Sequence, residues 1–235
     1  MFVQGGMRMN DIINRLQDHR SVRKYDPEKD VSREQIKEIV TAAMAAPNWI
    51  NGQQVTVIEI RDKAKKTKLA SAAGNQGWIE EAPVFLVFCM DFYRAKLAAE
   101  KKGKQFQIVK DIEAVLIGST DVGIALGTAV AAAESMGLGT VPIGGIRRNS
   151  QLVVDLLDLP EYVFPIAGLV VGYPKDIPGK KPRLPLQATF HQEKYEAEIQ
   201  RKLIDDYDEV HSHYISERTG GREQADWSGK TAKFF

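Results

Sequence analysis

The run of apolar and polar positions divides the chain into short amphipathic helices and a few wholly apolar strands. Ile12, Ile13 and Leu16 mark a first short helix. Ser32-Arg33-Glu34-Gln35 is a capping-box pattern, and Ile36, Ile39, Val40 and Ala43 follow it on one helical face, ending before Pro47. Pro47 to Gln53 is a loop and Val55 to Ile60 a β-branched strand. Asp62 caps a helix whose lysines Lys63, Lys65, Lys66 and Lys68 form a solvated face, and Gly74 ends it. Val84 to Met90 is apolar throughout, as a central strand covered on both faces must be. Tyr93 to Lys110 is polar and basic and reads as a mobile excursion. Asp111 to Met136 is the longest helix. Its Gly118, Gly123, Gly127 and Ala131 recur at close to helical spacing, which lets another helix or a flat ligand approach. Gly137-Leu138-Gly139 stops it, Thr140 to Ile146 forms a strand running into Gly144-Gly145, and Leu152, Val153, Leu156 and Leu157 mark a short helix. Ile166 to Val171 is a second apolar strand, and a helical pattern runs from about Glu193 to Tyr214.

The ends differ from this middle. Residues 1–9 form a loose tail without an apolar run of signal-peptide length. From Asp176 the chain turns polar yet carries Tyr195, Tyr207, Tyr214, Trp227, Phe234 and Phe235 on too little chain for a separate core. Residues 176–235 are therefore expected to form a C-terminal arm that buries those rings on a partner subunit, the alternative being an arm folded back on its own subunit, with the whole chain 1–235 making one domain. Ala114 to Ala133 is long enough to span a bilayer, but Asp121 near its middle argues for the buried helix of a soluble protein.

With 235 residues, 43% apolar and 27% charged, the chain can bury a substantial core. A net charge of +1 gives no global field for nucleic acid or an acidic membrane, and the basic residues are not interleaved with aromatics. The single Cys89 excludes an internal disulfide and fits a reducing cytoplasm. Basic clusters therefore matter locally. His19-Arg20-Ser21-Val22-Arg23-Lys24-Tyr25 concentrates cations and a hydroxyl, while Lys181 and Arg183 sit on a proline-stiffened segment far downstream. Together they suggest one phosphorylated ligand held from two sides, although Asp18 and Asp26 offer Arg20 and Arg23 surface ion pairs instead.

Other chemistries find little support. Gly137-Leu138-Gly139-Thr140-Val141-Pro142 lacks the third glycine of a dinucleotide fingerprint and follows a helix. His211 and His213 point to different sides of a helix and read as solvated, so no metal site is expected. Cys89 lies in an apolar strand, and the adjacent Glu80 and Glu81 diverge. Anion clips, the polar loop Asn48, Asn51, Gln53 and a glycine pair without an acid, base or nucleophile suit an organic cofactor that carries the chemistry itself.

Five segments in order resemble the FMN-dependent nitroreductase family, nearest its NADPH-preferring, oxygen-insensitive nitroreductases and flavin reductases. They are the His19 to Tyr25 cluster, Ala46-Pro47-Asn48-Trp49-Ile50-Asn51-Gly52-Gln53, Gly74-Asn75-Gln76, Gly137 to Arg147, and Lys181-Pro182-Arg183-Leu184-Pro185. The resemblance implies an α+β fold with a mainly antiparallel central sheet flanked by helices. It also implies a cytoplasmic homodimer with FMN at the subunit interface and an arm reaching the partner. Arg20, Ser21, Lys181 and Arg183 would hold the FMN phosphate with support from His19, and Arg23 would face the N1–O2 edge. Asn48, Asn51, Gln53 and Gln76 would bond the ring or ribityl chain. Ile143, Gly144 and Gly145 would lie along the ring near N5. Arg218 and Arg222 would bind NADPH, and Trp49 and Ile50 would meet the substrate. The implied activity is ping-pong hydride transfer from NADPH to flavin N5 and on to a flat acceptor. A flavin-consuming or dehalogenating relative and a non-enzymatic FMN store or sensor are the alternatives.

Overall fold

The computed structural model describes residues 9–107 and 111–235. They separate into two compact units, Met1–Pro178 and Gly179–Phe235. The tail expected over residues 1–8 lies outside the described residues, and Met9 already belongs to the first helix.

Four antiparallel strands build the sheet of the first unit: β1 (Val55–Ile60), β2 (Val84–Asp91), β3 (Gly139–Ile143) and β4 (Val163–Gly172), in spatial order β1-β2-β4-β3. Alternation along β2 supplies both cores. Phe85, Val87 and Cys89 face one side, where α3 (Lys63–Ala72), α4 (Trp78–Glu81) and α7 (Ser150–Leu156) pack. Val84, Leu86 and Phe88 face the other, against α2 (Arg33–Met44) and α6 (Ile112–Ser135). This is the α+β architecture expected, helices on both faces of an antiparallel sheet.

Local signals acted where they were read. Ser32 accepts from the Gln35 N–H and the Gln35 side chain accepts from the Ser32 N–H, closing the capping box of α2. β4 starts three residues before the apolar run and includes Pro165, which has no N–H to donate. The register shifts between Phe88 and Cys89, where Pro165 pairs with Cys89, so the ladder bulges at the proline.

Three expectations are corrected in this unit. Tyr93–Lys101 is a helix, α5, rather than a mobile excursion: the Asp91 carboxylate accepts from the Tyr93 N–H and pairs with Arg94. Residues 108–110 of that excursion lie outside the described residues. Lys66 is not on a solvated face. It is 6% exposed, its Nζ donates to the Ala82 carbonyl, and burial pulls its pKa down. The apolar helix α6 buries only one face. Ala125, Ala129 and Ala133 enter the core, while Ile112, Val115 and Leu116 are exposed. α1 (Met9–Gln17) likewise leaves Ile12, Ile13 and Leu16 exposed.

The outer edge of β1 is covered by a side chain. Gln54 O accepts from Asp91 N–H, so the alternate carbonyls of Gln53 and Val55 point away from the sheet. The Arg94 guanidinium donates to both, at 2.7 and 2.9 Å.

In the second unit, α8 (Gln200–Thr219) begins seven residues later than the pattern suggested, and Gly220 ends it. α9 (Trp227–Phe234) is fastened to it by Asp208, which accepts from the N–H groups of Trp227 and Ser228 and from the Ser228 hydroxyl. Those bonds hold the Asp208 carboxyl below its usual range despite the opposing effect of burial. His211, read as solvated, is buried with Nδ1 against the Ala225 carbonyl, whereas His213 is exposed beside Glu217. Tyr207, His211, Tyr214 and Trp227 cluster within the unit, while Phe190, Tyr195, Phe234 and Phe235 stay exposed.

Candidate functional site

Three of the five sequence segments meet at the β3 edge. The His19–Arg23 ribbon runs parallel to the start of β3 through a bridge between Ser21 and Thr140, with Val22 N–H donating to the Thr140 carbonyl at 2.9 Å. Val22 is buried there, and a Cβ on Gly139 would lie 2.7 Å from its Cγ2, so glycine admits the ribbon. His19 is oriented by Glu134 at the end of α6: Nδ1 lies 2.6 Å from Glu134 Oε1, which also accepts from the Thr140 hydroxyl at 3.2 Å. Arg20 pairs with Asp18, the ion pair the sequence offered as an alternative. Arg23 makes no such pair with Asp26, which instead meets Lys29. The Arg23 guanidinium lies 5.4 Å over the Trp78 ring.

Beyond β3 the chain turns through a 3-10 segment, Gly144–Asn149. A Cβ on Gly145 would meet the Ala73 carbonyl at 2.5 Å and Gln76 Nε2 at 2.7 Å, so the Gly74–Gln76 turn packs directly on this backbone. Gln76 donates to the Ala73 carbonyl at 2.8 Å. The Ile143 side chain is buried in the core and leaves its backbone as the group able to face a ligand. Gly144 is exposed, and a Cβ there would touch only the Arg147 guanidinium, at 3.5 Å. Arg20, Ser21, Arg23, Gln76 and the Gly144–Gly145 backbone thus line one edge, with cationic donors at one end and bare backbone at the other.

The Asn48–Gln53 loop stands elsewhere, between α2 and the start of β1. Trp49, Ile50 and Asn51 form a 3-10 turn in which Asn48 Oδ1 accepts from the Gln53 N–H. Trp49 and Ile50 are exposed. The β1 and β3 edges are separated by three strand spacings, roughly 14 Å.

In the second unit, Lys181 and Arg183 line a cavity of about 460 Å³ with His213 and Tyr214 of α8. Arg218 lies 5.7 Å over the Tyr214 ring, and Arg222 Nε donates to the Thr219 carbonyl. Among the described residues no group of His, Cys, Asp and Glu is arranged to hold a metal. Burial pushes the Cys89 thiol up to about 12, which leaves it protonated and inert.

Sequence reasoning missed Trp78, Glu134 and Arg94. Trp78 lies two residues past Gln76 with no signal of its own, and Glu134 reads as one charge at a helix end. Asp121 does carry a signal, a charge inside an apolar run, which marks a buried carboxylate as well as arguing against a membrane span.

The Nitroreductase family matches residues 16–173 of the chain, and the family's C-terminal domain matches residues 181–235. The FMN reductase (NAD(P)H) of Bacillus subtilis (strain 168) is 51% identical over 229 residues, covering 97% of this chain and 92% of its own. The solved structure of B. megaterium NfrA2 superposes with a TM-score of 0.93 at 51% identity, over 96% of this chain and 91% of that one. The NADPH:FMN oxidoreductase from Vibrio harveyi, solved in complex with NAD+, gives a TM-score of 0.83 at 34% identity, over 94% and 90%.

Proposed function

We propose, for a chain that belongs to the nitroreductase family, the work of an FMN-containing NAD(P)H-dependent oxidoreductase acting on flat electron acceptors. The observation that carries this is the cationic His19–Arg23 ribbon laid along β3 beside the bare Gly144–Gly145 backbone and Gln76. That donor set fits FMN, whose phosphate needs charged donors and whose ring needs close, side-chain-free backbone. Relatives named for FMN reduction with NAD(P)H point the same way.

As the resemblance implies, Arg20, Ser21, Lys181 and Arg183 would take the phosphate, and His19 would support them. Arg23, steadied by Trp78, would place its charge at the N1–O2 edge and favour the reduced ring. Gln76, Asn48, Asn51 and Gln53 would bond the ring and ribityl chain, and the backbone of Ile143 to Gly145 would lie along it. Arg218 and Arg222 would grip NADPH, with full charge for its 2′-phosphate. Trp49 and Ile50 would wall the acceptor's place. FMN held by these residues would supply the redox chemistry of a ping-pong cycle, hydride acceptance from NAD(P)H followed by electron delivery to the acceptor. No protein acid or base is assigned a step.

A homodimer would complete this site. The ribbon and the Asn48–Gln53 loop occupy opposite edges of one sheet, and a second copy can bring its loop to the first copy's ribbon. The exposed apolar face of α6, with open space over Gly123 and Gly127, and the exposed Phe190, Phe234 and Phe235 supply surface for that partner. We place the protein in the cytoplasm, where the lone thiol stays reduced.

The test is the visible spectrum of the purified protein, followed by stopped-flow reduction with NADPH and with NADH. A yellow protein bleached by NADPH and reoxidised by a quinone is expected. A colourless protein that takes up no added FMN and oxidises no NADPH overturns the reading.

A further inference from the structure

Asp121 is the one charge in the middle of the most apolar helix, and it is 3% exposed. Such a carboxylate works against the stability of the fold unless something requires it. Both its oxygens accept from the Trp49 N–H, at 3.1 and 3.3 Å. It also lines a cavity of about 330 Å³ with Asn48, Gln53 and Arg94.

The loop so held is strained. Ile50, Asn51 and Gln53 have φ of 48°, 55° and 53°, three non-glycine residues in the left-handed region within four positions, one of them β-branched. Backbone of this kind persists only where its surroundings over-determine it. Three of its bonds are internal: Gly52 N–H to Trp49 O, Asn51 N–H to Asn48 O, and Gln53 N–H to Asn48 Oδ1. Two tie it to neighbouring elements. The Asp121 carboxylate takes the Trp49 N–H at its beginning, and the Arg94 guanidinium gives to the Gln53 carbonyl at its end. An anion holds a donor and a cation holds an acceptor, each matched to the backbone group it meets.

We propose that Asp121 is a positioning residue whose carboxylate latches the Asn48–Gln53 loop in its strained shape, so that Trp49 and Ile50 are presented to the electron acceptor. The proposal rests on the reading above that these two residues meet the acceptor. It separates acceptor recognition from the phosphate clips, which lie on other segments. It also accounts for a buried charge that packing alone would replace by leucine.

The test compares wild type, Asp121→Asn and Asp121→Leu, alone and in an Ile50→Gly background, with 1,4-naphthoquinone as acceptor. Leucine removes the latch while filling part of the adjoining cavity. Asp121→Leu is expected to keep or raise the melting temperature, since a buried charge is exchanged for an apolar side chain. Because Asn48, Asn51 and Gln53 of the same loop would bond the flavin, the comparison is made at saturating FMN, where the stopped-flow rate of reduction by NADPH should stay within about twofold of wild type and KM for the quinone should rise about tenfold. Asp121→Asn, which keeps one acceptor oxygen, should fall between. In the Ile50→Gly background, where glycine accepts the left-handed backbone without strain, the effect of Asp121→Leu on KM should shrink to less than about threefold. An unchanged quinone KM in Asp121→Leu at saturating FMN overturns the latch, as does a KM rise accompanied by a lower melting temperature, or one equally large in the Ile50→Gly background. A wild type that binds no FMN fails before any variant is compared, and that outcome overturns the functional reading itself.

Discussion

Single side chains at the β3 edge decide how a ligand can be held. Gly145 has no room for a methyl group, because the Ala73 carbonyl occupies its place. Gly145→Ala should push the Gly74–Gln76 turn off this backbone and lower FMN affinity by about tenfold or more, read by fluorescence titration. Arg183→Ala removes a charge-assisted bond of about 1.5–3 kcal/mol to phosphate, so FMN affinity should fall about tenfold to a hundredfold with the NADPH-to-NADH preference unchanged. An unchanged FMN titration would remove Arg183 from the site. Lys66 tests burial. Its pKa is lowered in the folded chain by desolvation, so the unfolded chain binds the extra proton between the folded value and the ordinary lysine value of 10.5. The penalty is therefore full below that window and disappears as pH rises through it. The stability difference between wild type and Lys66→Met, measured by urea unfolding, should move in favour of wild type from pH 8 to pH 10. The lysine pattern around it shows only that four lysines in six positions cannot all face water on one helix, and not which of them turns inward.

At the scale of elements, strands and helices were legible wherever a local rule outweighed context. The capping box set the start of α2, and Ser32→Ala should cost about 1 kcal/mol, a fall of roughly 2–4 °C in melting temperature by calorimetry. β2 was legible because both its faces are covered, which forces an unbroken apolar run. The start of β4 was not, because Pro165 reads as a strand breaker until the bulge opposite it is seen. α5 was missed because no buried apolar stripe marks it. Its support comes from Asp91 at the end of β2 and from a Lys96–Glu100 pair, relations visible only in space. α8 was placed too early because residues 193–199 continue an apolar rhythm while Glu193 adopts φ of 60°.

Across the molecule, the motifs were legible as a set before their geometry was. Three of them do converge on the β3 edge, and the fourth is hung at the other side of the sheet. Nothing in the spacing of Asn48 and His19 could distinguish neighbours from opposite edges, because strand order is a property of pairing. The same opposition gives a test of assembly. Light scattering should report twice the 26.2 kDa chain. Leu116→Asp, on the exposed face of α6, should yield monomer and lose flavin together. A flavin-replete monomer would mean that one chain suffices.

The guanidinium resting on the outer carbonyls of Gln53 and Val55 has a bearing on solubility. Unsatisfied carbonyls at a sheet margin are where foreign strands anneal and cross-β growth seeds. With both already engaged, that margin offers an incoming chain no acceptors at its first residues. Concentrated Arg94→Ala protein should therefore develop thioflavin-positive material earlier than wild type, with its helical signal initially intact.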